Sequence, residues 1–120
     1  MVVKAAAILH DIGIAQAERK YGSSAAKYHQ AEGPIMARGI LAKYDLDRAD
    51  VEHICRIIAN HHSAKDIDTI EFKIVWDADW LVNIPAEFAA ASREKLKEII
   101  DKTFKTRRGR EIAIEIFLRN

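Results

Sequence analysis

The chain has 120 residues, the length of one domain and enough to bury a core. About half of the residues (49%) are apolar, yet no apolar run is long enough to span a bilayer, and no small-residue cleavage site follows the apolar start as in a signal peptide. The formal net charge of +1 gives no push towards nucleic acid or a membrane surface, so the expectation is a cytoplasmic protein that binds neither.

Residues 2 to 11 carry a helical apolar run, with Gly13 as its stop. No Ser, Thr or Asp precedes this helix to cap it, so the chain reads as cut at its N-terminus. The expected cover for Val2, Val3 and Ala6 is then a second chain, a homodimer being the simplest case. Residues 14 to 33 are mixed, with Gly22-Ser23-Ser24 marking a loop between short helices. Pro34 suits the first turn of a helix running to about Tyr44, with Met36, Ile40 and Leu41 on one face. Asp47 is a cap for the next helix, which runs to about His62 and is apolar at Val51, Ile54, Cys55, Ile57 and Ile58. Cys55, lying in that pattern, reads as a small buried hydrophobe rather than a nucleophile. Asp68 and Glu71 form a capping box for a helix through Asn83 that Pro85 ends. Ser92 caps a helix to about Phe104, and Gly109 opens a last one with Ile112, Ile116 and Phe117 inward. The basic stretch from Lys105 to Arg110 reads as a solvated loop rather than a nucleic-acid contact. With no alternating strand pattern and no repeat, the prediction is one all-α domain over residues 1–120, built from five to seven helices.

Polar residues interrupt this pattern at His10-Asp11, His29, His53, His61-His62 and Asp77-Ala78-Asp79. Residues three and four apart share a helix face. His61 therefore follows Ile54, Ile57 and Ile58, and His62 follows Val51, Cys55 and Ile58. Asp79 shares a face with Val75 and Val82 within a stretch, 74 to 84, that reads as buried, while Asp77 is ambiguous. His53, beside Glu52 and Arg56, reads as a surface residue, and His29 lies on a polar stretch. One histidine on an apolar face is usually a hydrogen-bonded core residue. Several helices aiming imidazoles and carboxylates inward are a different matter, because an unpaired buried carboxylate costs several kcal/mol (roughly). A shared divalent cation resolves the difficulty, and these side chains are its natural ligands.

Leu9-His10-Asp11-Ile12-Gly13 resembles the defining doublet of the HD superfamily of metal-dependent phosphohydrolases. Asn60-His61-His62-Ser63 resembles a histidine pair found on a later helix in many members, and Trp76-Asp77-Ala78-Asp79-Trp80-Leu81 resembles the terminal aspartate motif. Glu18 to Gly22 is similar to a segment of small bacterial and archaeal members. The resemblance covers residues 4 to 84 and implies an HD-like helical bundle. It also implies a metal site of His10, Asp11 and Asp79, with His61 and His62 catalytic, orienting water or protonating the leaving group. The family's first metal-binding histidine lies upstream of the doublet, where this chain has no residues. The position it would fill then falls to water, to His61 or His62, or to another chain. Arg19, Lys20 and Lys27 are candidates to hold substrate phosphates, with solvated surface charge as the plain alternative. The implied activity is hydrolysis of a nucleotide or other small phosphate ester, with a divalent ion (Mn, Mg, Fe, Co, Ni or Zn) as cofactor. If His29 supplies a second metal, the set is similar to that of di-iron members, some of which are oxygenases. A module that binds ligand without turnover is the remaining alternative.

Overall fold

The computed structural model describes residues 1–23 and 25–119. Seven helices follow in order: α1 (Val2–Leu9), α2 (Ile14–Tyr21), α3 (Ala26–Leu41), α4 (Arg48–Asn60), α5 (Ile70–Glu87), α6 (Arg93–Thr103) and α7 (Arg107–Phe117). There is no strand among the described residues, so the chain is all-α. It divides into two compact units, 1–72 and 73–120, with the boundary inside α5.

In the first unit α4 packs against both α3 and α1, and α3 packs against α2. The fully buried residues of α4 are Ile54, Ile57 and Ile58, each worth roughly 1.5–3 kcal/mol of burial. Cys55 is buried beside them, its Sγ on the carbonyl of Pro34, and burial pushes the thiol up from its ordinary value. Asp47 caps α4 by accepting from Ala49 N, as the sequence predicts. Arg38 on α3 and Glu52 on α4 form a surface ion pair.

Two glycines set how the helices of this unit meet. Gly13 precedes α2 with φ −76°, an ordinary helical value, so it is not the left-handed stop the sequence suggests. A Cβ placed there would lie 2.3 Å from the carbonyl oxygen of His29 and 2.6 Å from Gly33 N. Its absence is what lets α3 come this close. The left-handed position is Gly22 (φ 67°), whose N–H closes α2 on Glu18 O. Ser24, the last residue of the predicted loop, lies outside the described residues.

The helix predicted to start at Pro34 starts eight residues earlier, and Pro34 lies inside it. An internal proline forfeits one helical hydrogen bond at a cost of about 3 kcal/mol. Apolar burial of Ala37 and Leu41 on the same helix works against that loss. Ala6 on α1 is fully buried, which corrects its place in the partly uncovered patch expected there, while Val2 and Val3 are half-buried and Met1 and Ile8 exposed. The capping box at Asp68 is replaced by Thr69, whose hydroxyl accepts from Phe72 N and lies 2.8 Å from His53 Nε2.

In the second unit α5 runs past Pro85, and Ile84, Ile100, Phe104, Ala113 and Leu118 form a buried cluster, with Trp80, Leu81, Phe88 and Leu96 packed against it. Ser92 caps α6 through Lys95 N. The last helix begins at Arg107 rather than Gly109, capped by Thr106, and its inward positions are Gly109, Ala113 and Leu118. Phe117 packs against the buried cluster as expected and Ile112 is half-buried, whereas Ile116 is 59% exposed, which corrects its inward assignment. No helix is long and apolar enough to cross a membrane among the described residues.

Candidate metal centre

The apolar run of α1 stops at Leu9, and the chain turns through His10 to Gly13 before α2 begins. This turn presents Asp11 to α3 and to the end of α4. Asp11 Oδ1 lies 3.2 Å from His61 Nε2 and 3.9 Å from His29 Nε2, and Asp11 Oδ2 lies 3.2 Å from His10 Nε2. His29 Nε2 and His62 Nε2 are 2.7 Å apart. Asp11, His29, His61 and His62 each offer one ligand atom, all within 4.8 Å of one another. The rings of His61 and His62 have centroids 4.0 Å apart, and His10 meets His61 edge-on at 5.2 Å.

The protons in this cluster decide what it can hold. His61 Nδ1–H donates to Ile58 O at 2.6 Å, and His10 Nδ1–H donates to Ala7 O at 2.7 Å. A neutral imidazole so pinned carries no proton on Nε2. Both Nε2 lone pairs then face oxygens of one carboxylate, which is repulsive unless each ring is protonated or a cation stands between. Backbone carbonyls that fix the far nitrogen of a histidine are the usual outer partners of metal ligands. An ion with ligand bonds of about 2.1 Å holds tetrahedral neighbours about 3.4 Å apart, close to the separations here. The donor set of imidazole and carboxylate suits a divalent ion, so the residues fit the group. The His10 hydrogen bond first, and the His61 one next, hold the Asp11 carboxyl well below the usual carboxylate range against the opposing effect of burial.

The first unit thus brings together His10, Asp11, His61 and His62 of the sequence-predicted residues. It also brings in His29, the possible second-metal ligand, which the sequence pattern places on a polar stretch. His29 is buried because α3 begins at Ala26 and carries it on a packed face. His61 is buried and His62 exposed, so the apolar face assigned to both holds only for His61. His53 is half-buried and bonded to Thr69.

The predicted phosphate-binding cations are spread over α2 and α3. Arg19 is exposed and donates to Gln16 Oε1. Lys20 is in an ion pair with Glu32 Oε1 at 2.8 Å, and that oxygen also accepts from Tyr21 OH. Lys27 lies 4.8 Å from the centroid of the Tyr28 ring, which is stacked on Tyr21. Glu32, buried on α3, was given no part by the sequence pattern; its signal is a carboxylate three residues after His29 on the same face.

The two aspartates of the second unit separate cleanly. Asp77 is 3% exposed and accepts from Lys105 N, Thr106 N and Thr106 Oγ1. Thr106 Oγ1 in turn accepts from Gly109 N, so Asp77 braces the cap of α7. Asp79 is half-buried, its Oδ1 accepting from Asn83 Nδ2 at 3.0 Å. The stretch around it is less buried than its sequence suggests, Val82 being 76% exposed.

The HD domain family model matches residues 2–84. No curated protein and no solved structure matches the chain.

Proposed function

Because the chain belongs to the HD-domain family, which is of metal-dependent hydrolase type, we propose that it is a metal-dependent phosphohydrolase acting on a nucleotide or another small phosphate ester. The observation that carries the reading is Asp11 facing the Nε2 atoms of His10 and His61, whose opposite nitrogens are fixed on backbone carbonyls. Asp11, His29 and His61 would hold the ion, with His10, whose Nε2 faces the second oxygen of Asp11, as a further ligand. Asp79 enters on its sequence motif. A bound divalent ion supplies Lewis acidity towards a phosphoryl oxygen and acidifies water near neutral pH.

The chain's own groups supply the rest. His62 is exposed, as Asp11 is, and its imidazole, not bound to the ion, would pass a proton to the leaving oxygen. His61, fixed through Nδ1, keeps Nε2 aimed at the cluster without reorganisation during reaction. Arg19 and Lys27, both exposed cations, would hold the substrate phosphates, while Lys20 is engaged by Glu32. The test is metal analysis of the purified chain, followed by hydrolysis of a phosphate-ester panel with added manganese, magnesium, cobalt or nickel. The reading expects metal-dependent phosphate release that Asp11→Ala removes; saturation with metal but no hydrolysis of any ester would overturn it.

His29 within reach of both Asp11 and His62 favours one second reading, a two-ion site of the di-iron oxygenase kind. Stoichiometry separates the two: about one ion per chain supports the hydrolase, and two irons with a mixed-valence signal support the oxygenase.

A further inference from the structure

α4 ends at Asn60, so His61 and His62 sit in the turn beyond it, outside the regular helical ladder. Ser63 N and Ala64 N close this turn on Asn60 O, and a tether from another helix would add to what aims its imidazoles at the site. Gln30 is the residue after His29 on α3, and its Oε1 accepts the backbone N–H of His62 at 2.9 Å. An N–H requires an oxygen acceptor, which fixes the orientation of the amide. Two consecutive residues of α3 therefore grip His62, Gln30 by its main chain and His29 by its ring.

We propose that Gln30 is a positioning residue for the metal cluster, holding the turn after α4 in the register that turns His61 and His62 towards Asp11 and His29. The proposal rests on the reading that this cluster holds a divalent ion. The amide oxygen of Gln30 is engaged by the His62 N–H, so Gln30 acts through the backbone of His62. Loss of such an outer partner weakens metal affinity by about 10- to 100-fold.

Cobalt(II) titration of the full chain tests this, because the visible ligand-field bands report the coordination of the ion independently of turnover. Gln30→Met keeps the length of the side chain and removes the acceptor; Gln30→Glu keeps an acceptor oxygen. Cobalt affinity is expected to fall about 10- to 100-fold in Gln30→Met with altered bands, and Gln30→Glu is expected to restore the wild-type bands. Wild-type affinity and bands in Gln30→Met would overturn the proposal. If Gln30→Met does not fold cooperatively without metal, Gln30→Asn, one methylene too short to reach, decides on the same bands: altered bands support the tether and unaltered bands overturn it. A wild-type chain that takes up no cobalt overturns the metal reading itself, a result distinct from a wild type that binds and a variant that binds equally well.

Discussion

Asp77 accepts three hydrogen bonds at the start of α7, and a buried acceptor of this kind leaves three donors without a partner when removed. Asp77→Ala should therefore lower stability by about 2–4 kcal/mol, read from urea unfolding, and leave metal content unchanged. Asp79→Ala should do the reverse, losing metal with a small change in stability, since Asp79 has a half-buried carboxylate bonded to Asn83 one turn away. Equal loss of metal in the two variants would mean that the motif had been read on the wrong aspartate. Glu32 gives a pH-dependent case. Lys20 chiefly, with Tyr21 assisting, holds its carboxyl below the ordinary 4.5 against the effect of burial. A depressed carboxyl contributes stability that is fully present above the ordinary value and is lost as pH falls through the lower folded one. The urea midpoint of the wild type should hold from neutral pH down to about 4.5 and then fall. In Glu32→Gln that acid limb should be shallower.

The elements of the first unit depend on one close approach. Gly13, the N-cap of α2, has a backbone that alanine adopts without strain, so its conformation alone does not demand glycine. Packing decides otherwise, because the added methyl would sit 2.3 Å from a backbone oxygen, which cannot swing away as a side chain does. Gly13→Ala should cost about 1–3 kcal/mol or more, and because that oxygen belongs to His29 it should also weaken metal binding. Thermal unfolding with and without cobalt measures both. A stabilised variant with unchanged cobalt affinity would show that the α2–α3 approach is not needed by the site. The helices themselves form for tertiary reasons: α1 has no side-chain cap, and α3 and α5 each contain a proline.

For the whole chain, ion binding and stability are linked, since a metal that binds only the folded state stabilises it by an amount that grows with the logarithm of its concentration over its dissociation constant. Removing divalent ions with a chelator should lower the melting temperature, and restoring them should recover it. The wild type should show this and Asp11→Ala should not. If the melting temperature of the wild type is indifferent to metal at saturating concentration, the cluster is a hydrogen-bonded histidine network and no more.

Much of this was written locally. The 3.6-residue recurrence of apolar residues fixes an all-α chain, and short-range chemistry fixes Asp47 and Ser92 as caps, because a cap involves only neighbours in sequence. The His-Asp doublet and the histidine pair were legible because residue type limits chemistry: few side chains bind a cation, and these cluster where apolar periodicity should continue. Long-range packing settled the rest. Only the fold shows that α3 starts before Pro34, since the burial that outweighs an internal proline comes from other helices. That same shift turns His29 from a residue of a polar stretch into a buried neighbour of Asp11. Motif and helix face single out Asp79 over Asp77, but what Asp77 does instead is set by donors that lie 28 and 29 residues further on. Gln30 carries no signal in the sequence at all, because its partner is a backbone N–H 32 residues away that any residue would present.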